Sequence, residues 1–552
     1  MTPTLDRAVT LAVPTPVPGA AVSQPTARPT VSALQRIRDE GMLRVGVLYN
    51  NPPLSSLSER GRVVGYEADL ARGIAEQLGV DITFVQVTRQ NAVASLLADD
   101  VDILMAAVVH RREAESELAF TQTYFPGGQM FLVRADGAIQ SPGQVNGQRV
   151  GAVQGTASER ALGRAISSGG LHVTPELFLT LDQAVGALGS GNVAAVVADR
   201  VSLIPVLSQI AGARLLDEVL EPEPYAIALR RHDGPLRYLL NRALQALYTE
   251  GRVDESRRTW FPNLSFTLEF PVWEGVAEDT RGLADFDTAL VYPEPSLVAR
   301  IQAGEAVRVA GLDRNPQSSP FVHRLESFYQ AVAQEMASRW GVAAEFTPDS
   351  AASALELVAS GEAHLAIGVT PRWTGPYEVA YSAPLIVHGD RLMIPAGSAI
   401  EGFADLRGRW VGIFASEPGT ADRVNELADE VRTAVNIFTI INDEDAVYSM
   451  LVDQNADVVF GDSLRLLPLV EANGELVKLT DRWYSREYYA IAVPRNDPDM
   501  LSLVEITLQD MVADGTFAQL WASTLAFGEP TAFEHWPGAR GQFLGVRTGI
   551  PD

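Results

Sequence analysis

Short apolar runs alternate with longer amphipathic stretches along most of the chain, the pattern of strands joined by crossover helices. Leu43 to Leu48 predicts a strand, and Glu67 to Leu78 a helix with apolar residues at helical spacing. A strand is expected over Ile82 to Val87, a helix over Ala92 to Ala98 and a strand over Asp102 to Ala107. A second set follows: Arg149 to Val153, Ala157 to Ile166 and Ala194 to Ala198, then Tyr225 to Leu229 and the helix Pro235 to Glu250. Two such sets in one stretch imply two α/β lobes with a cleft between them.

The course then repeats from Val307, through Val411 to Phe414 and Val458 to Phe460, to a late helix over Met500 to Asp514. Arg44-Val45 returns as Arg308-Val309, Gly155-Thr156 as Gly419-Thr420, and Tyr225-Ala226-Ile227-Ala228 unchanged as Tyr489-Ala490-Ile491-Ala492. Trp260 and Trp273 answer to Trp521 and Trp536, all at offsets of 261 to 264 residues. That period far exceeds a solenoid or propeller repeat and reads as duplication of a whole domain. Residues 276–295 are polar and read as the linker, so each copy is expected to fold and melt separately.

The 552 residues are 47% hydrophobic and 20% charged, ordinary for a globular protein. A net charge of −26 argues against nucleic acid and anionic membrane as partners, and serves solubility. The absence of cysteine excludes disulfides and thiolate chemistry. No stretch has the apolar length of a membrane span, and no signal peptide is visible at the N-terminus. Residues 1–31 carry six prolines among Thr, Ala and Val, the composition of an extended, disordered tether.

The ordered motifs resemble the type 2 periplasmic solute-binding proteins for polar amino acids. The matching pieces are Leu43-Arg44-Val45-Gly46-Val47, Pro52-Pro53, Gly65-Tyr66-Glu67-Ala68-Asp69-Leu70, Phe120-Thr121-Gln122-Thr123-Tyr124, Gly155-Thr156, Ala198-Asp199-Arg200 and Thr249-Glu250-Gly251 before Trp260-Phe261. The resemblance spans 35–262 and, more weakly, 299–525. It implies an α/β chain of two tandem Venus-flytrap domains, each of two lobes with a discontinuous first lobe. Domain one is then 32–275, with lobe two about 134–224 and crossings near Leu132 and Tyr225. Domain two is 296–538, with lobe two about 395–487, and 539–552 is a tail.

Gly155-Thr156 and Gly419-Thr420 each follow a strand and open a helix, where free N–H groups suit an anion; a plain helix cap reads equally well. Asp199 and Asp462 each end an apolar strand, where α/β folds place ligand contacts and where helix caps also sit. The resemblance assigns Thr156 and Thr420 to a ligand carboxylate and the two aspartates to its ammonium. It also implies a lobe-one Thr followed five residues later by a carboxylate-clamping Arg. Here the chain departs: Val109 and Ala114 occupy those positions in the first copy, and Thr370 and Gly375 in the second. Arg111 and Arg372, two residues after the first position in each copy, are the candidate substitutes. Tyr49 and Tyr124 are candidate aromatic walls in the first cleft, Phe321 and Trp373 in the second, with Asp313 a further carboxylate.

The seven histidines are dispersed, with no metal-ligand spacing, nucleophile elbow or phosphate loop, so neither enzyme nor cofactor is expected. The resemblance implies an extracytoplasmic protein that captures an amino acid or similar small polar solute for an ABC importer's membrane permease. A receptor's sensing ectodomain and a cyclohexadienyl-dehydratase-like lyase are the alternatives. With Thr370, Arg372, Thr420 and Asp462 together, the second copy is expected to be the better amino-acid site.

Overall fold

The computed structural model describes residues 29–550 apart from 210–211, 263–269, 313–319, 349–350, 377, 416, 418, 441–450 and 452–454. Most of the expected tether, together with Asp313, therefore lies outside the described residues, as does the Phe321 side chain.

Each copy is built on two main sheets. Lobe one of the first orders its strands Asp81–Gln86, Met42–Val47, Ile103–Leu104, Tyr225–Arg230 and Leu118–Phe125. Lobe two orders Thr174–Phe178, Arg149–Val153, Ala195–Asp199, Gly128–Arg134 and Ala213–Pro222. In both, the first three strands are parallel and the strand at the crossing runs antiparallel to its neighbours. The second copy repeats both orders: Ala344–Pro348, Val307–Leu312, Leu365–Val369, Glu487–Pro494 and Val379–Tyr381 in lobe one, and Asn436–Ile440, Trp410–Phe414, Val458–Asp462, Asp390–Pro395 and Val477–Leu479 in lobe two. Apolar positions from these strands and their helices are buried in separate clusters on the two faces of each sheet.

The sequence reading located these elements closely, because each carries its own stop signals. Helix Tyr66–Leu78 ends at Gly79, at φ 68°, where a left-handed residue satisfies the last carbonyls. Helices Gly234–Thr249 and Pro498–Ala513 both start with proline in the first turn after an aspartate, Asp233 and Asp497, that accepts a backbone N–H. The chain crosses into lobe two at Pro126-Gly127, earlier than expected: Leu132 lies inside the strand Gly128–Arg134. It returns at Glu223-Pro224.

The join and the tail differ from expectation. Within 276–295, Phe286 belongs to the first copy's core, and Arg281 pairs with Asp279 while donating to the Trp373 carbonyl. The tail forms a hairpin, Gln542–Phe543 with Val546–Arg547, whose Phe543 and Val546 are buried in the second copy's core. The copies also meet directly: Asp499 accepts from Arg231 at 2.5 Å and lies 2.8 Å from His232, and the Arg495 guanidinium sits 4.1 Å from the Tyr238 ring. The join and the tail thus pack against the copies rather than hang between them.

Candidate functional site

In the first copy the central strand of lobe two delivers Asp199 to the hinge. One carboxylate oxygen accepts the Tyr225 hydroxyl at 3.0 Å, and the other accepts the Ser202 N–H at 3.1 Å. Asp199 is thus both a helix cap and a hinge contact, since Tyr225 stands on the lobe-one side. Burial raises the Tyr225 pKa well above its ordinary value, and the neighbouring Asp199 and Glu223 push the same way, so the phenol stays protonated.

A polar relay runs beside it. Ser158, in the first turn of helix Ala157–Ser167, donates to Gln129 at 2.7 Å; Gln129 donates to Glu223 at 2.8 Å; Glu223 faces the Arg111 guanidinium at 3.5 Å. It links a lobe-two helix, both crossing segments and a lobe-one loop. Burial raises the Glu223 pKa, opposed by Gln129 and Arg111. Arg111 keeps 42% of its side chain exposed, so its other donors reach solvent or a ligand.

The remaining first-copy candidates divide. The Thr156 hydroxyl donates to the Val153 carbonyl at 2.6 Å, and the Gly155 N–H donates to Glu159 at 2.6 Å, so the chain's own carboxylate meets the helix end. Tyr49 is half-buried and donates to the Phe84 carbonyl at 3.2 Å. Tyr124 is placed in the core rather than on a cleft wall, its hydroxyl 2.5 Å from Glu67. The fully buried Glu67 also accepts the Ala107 N–H at 2.7 Å and the Ser55 hydroxyl at 3.1 Å, and burial lifts its pKa to about 7.

The second copy keeps the frame and changes the circuit. Asp462 caps its helix through the Leu464 N–H at 2.7 Å, and its other oxygen lies 2.6 Å from His388 Nδ1. His388 stacks on Tyr489, centroids 4.4 Å apart. Asp390 is the cross-strand partner of Asp462, as Gln129 is of Asp199. Burial and neighbouring acids raise the pKa values of Asp390 and Glu487, and bring Glu417 to about 7 against the pull of Arg465. Thr420 donates to the Glu417 carbonyl at 2.9 Å, and Thr370 is half-buried after the strand Leu365–Val369.

Arg372 and Trp373 both turn toward the first copy. Arg372 is 45% exposed and 3.8 Å from Glu274, a residue of the first copy's extension. Trp373 is 1% exposed in the first copy's core, its indole donating to Gln245 at 2.7 Å. A backbone hydrogen bond of 2.8 Å from Trp373 to Glu274 turns the segment that way. Among the described residues, no group of three His, Cys, Asp or Glu is placed to hold a metal, and no helix is long and apolar enough to cross a membrane.

Residues 43–263 and 316–524 both match the bacterial extracellular solute-binding proteins, family 3. The chain belongs to that family. The ABC transporter glutamine-binding protein GlnH of Bacillus subtilis is 28% identical over 205 residues, 36% of this chain and 73% of that protein. The histidine-binding periplasmic protein of Salmonella typhimurium is 25% identical over 228 residues, 40% of this chain and 87% of its own. The solved structure of an ancestral arginine-binding protein bound to arginine is 30% identical, aligned over 40% of this chain and 98% of its own at a TM-score of 0.32. Each alignment with these proteins spans less than half of this chain, whereas the family match itself occurs twice.

Gln129, Glu223 and His388 escaped the sequence reading, since no short motif marks a residue beside a hinge. Tyr225 had a signal in plain view, the tetrapeptide repeated unchanged at Tyr489.

Proposed function

We propose that the protein is an extracytoplasmic solute-binding protein that closes two lobes over an amino acid or related small polar solute and presents the closed form to an ABC importer's permease. The observation that carries the reading is the first cleft, where Asp199 and Arg111 stand on opposite lobes beside the Tyr225 and Glu223 hinge contacts. Asp199 would take the ligand's ammonium as a charge-assisted hydrogen bond, and Arg111 would exchange Glu223 for its carboxylate. Binding energy then favours the closed form by its difference in contacts between the two forms.

The order of the copies changes from the sequence expectation. Trp373 is committed to the first copy's core, and Arg372 pairs with Glu274 of the first copy's extension. We assign amino-acid binding to the first cleft, and to the second a ligand with more positive charge, because Asp390, Glu417, Asp462 and Glu487 gather there. The test is titration calorimetry with L-arginine, L-glutamine and L-histidine on the intact chain, the Asp199→Asn variant and the Asp462→Asn variant. Binding lost on changing Asp199 but retained on changing Asp462 supports the assignment. The reverse pattern, or binding untouched by both changes, overturns it.

A further inference from the structure

Two short segments tie the copies together by exchange. After its last helix each copy sends an extension to the other, and equivalent residues make equivalent contacts. The Arg112 N–H donates to the Pro537 carbonyl at 3.1 Å, and its guanidinium reaches the Trp536 carbonyl at 3.1 Å, Gln509 at 3.5 Å and Asp510. One turn of the duplication later, the Trp373 N–H donates to the Glu274 carbonyl and its indole to Gln245. Gln245 and Gln509 occupy matching positions, and each accepts the N–H of its own extension's tryptophan, Trp273 at 2.8 Å and Trp536 at 3.1 Å. Trp273 packs 4.7 Å from Trp373, and Trp536 stacks 3.8 Å from His110.

The segment involved is the one that carries the cleft arginine. Arg111 is extended, at φ −113° and ψ 145°, so neighbouring side chains leave the backbone on opposite sides. Arg111 turns to Glu223 at the hinge, and Arg112 turns into the second copy. The Arg112–Asp510 pair is sealed, each side chain 2% exposed, so the anchor is dry and directional. Further along, Glu115 accepts Ser502 of the second copy at 2.6 Å.

We propose that each copy positions the cleft loop of the other, so that the two clefts are built jointly and adjust as a coupled pair. The residues that do this are positioning residues: Trp536 and Gln509 for residues 109–115, Trp273 and Gln245 for 370–374. The geometry stands by itself; the consequence for ligands rests on the solute-binding reading above.

Hydrogen exchange on the full chain tests the proposal without any ligand. Trp536→Ala should speed exchange in a peptide over 109–115 by about tenfold while leaving Met42–Val47 unchanged. Trp273→Ala should do the same over 370–374 and spare 109–115. Trp536→Phe, which keeps a ring against His110, should restore most of the protection. If an alanine variant fails to fold, Arg112→Lys keeps the charge, loses the forked contacts and should give a smaller rise over the same peptide. Unchanged rates at both loops, or a uniform rise across both copies, overturn the proposal. If the loops loosen as expected but none of L-arginine, L-glutamine and L-histidine binds the unaltered chain, the solute reading fails and the positioning stands.

Discussion

Beneath the lobe-one cleft loop the two copies solve one packing problem with different chemistry. In the first, Glu67 is buried and accepts the N–H of Ala107, a residue held at φ 51°. In the second, Tyr329 takes the place of Glu67 and its ring lies against Gly368, at φ 71° in the place of Ala107. A Cβ on Gly368 would run into that ring, so the tyrosine and the glycine must change together. The hinge shows the same division: Gly127 and Gln129 in one copy, His388 and Asp390 in the other, around aspartates held on identical strands. Backbone topology tolerates such exchanges so long as each buried polar group keeps a partner. Ligand chemistry does not, since it depends on which charges face the cleft.

Seven substitutions sharpen or break this comparison. The largest effect is expected from Arg112→Ala, which leaves the buried Asp510 carboxylate without its counter-charge, held only by the Gly541 N–H and the Thr548 hydroxyl, and should cost about 3–5 kcal/mol of stability by denaturant unfolding. Its counterpart in the cleft, Asp199→Ala, should weaken amino-acid binding by about 2–5 kcal/mol in calorimetry, because the ligand's ammonium is left without its carboxylate. Equal losses from Asp199→Ala and Asp462→Ala for one amino acid would erase the difference drawn between the copies.

Gly368→Ala should destabilise by about 1–3 kcal/mol, from the clash with Tyr329 and the left-handed backbone, whereas Ala107→Gly at the matching position should cost little. A melting experiment on both variants decides it. Glu417 gives a pH signature. Burial raises its folded pKa from 4.5 to about 7, so the folded chain holds that proton more tightly than the unfolded one. The associated stability is present below pH 4.5 and is lost as the pH rises to about 7. Glu417→Gln should remove about 1–3 kcal/mol of that pH dependence, read from unfolding at pH 5 and pH 8. The smallest effect belongs to Arg372→Ala: a half-exposed pair at 3.8 Å should be worth under about 0.5 kcal/mol of stability by denaturant unfolding.

Much of the fold was legible in the chain because the signals are local. Apolar periodicity placed the strands and helices, glycines and capping aspartates placed their ends, and the recurrence of Tyr-Ala-Ile-Ala gave the duplication. Asp199 and Asp462 could be found for the same reason, since each ends an apolar strand. The partners of Arg372 and Trp373 could not be read. Their distance along the chain from Arg111 and Arg112 is a fact of sequence, but the face each presents depends on Glu274 and Gln245, about a hundred residues away. Tyr124 misled in a similar way: an aromatic after a strand suits a cleft wall or a core equally well until Glu67 is seen to take its hydroxyl.

The sequence by itself therefore determined that there are two copies, that each has two α/β lobes, and which strand ends reach the hinge, because these follow from repeat length, periodicity and capping. Only the tertiary structure decided that the polar join and the tail are packed, that His388 stands on Asp462, and that each copy holds the other's cleft loop. The reason is physical. Secondary structure is set by interactions a few residues apart, whereas the partner of a buried arginine or tryptophan is whichever distant group the packed lobes bring within about 3 Å.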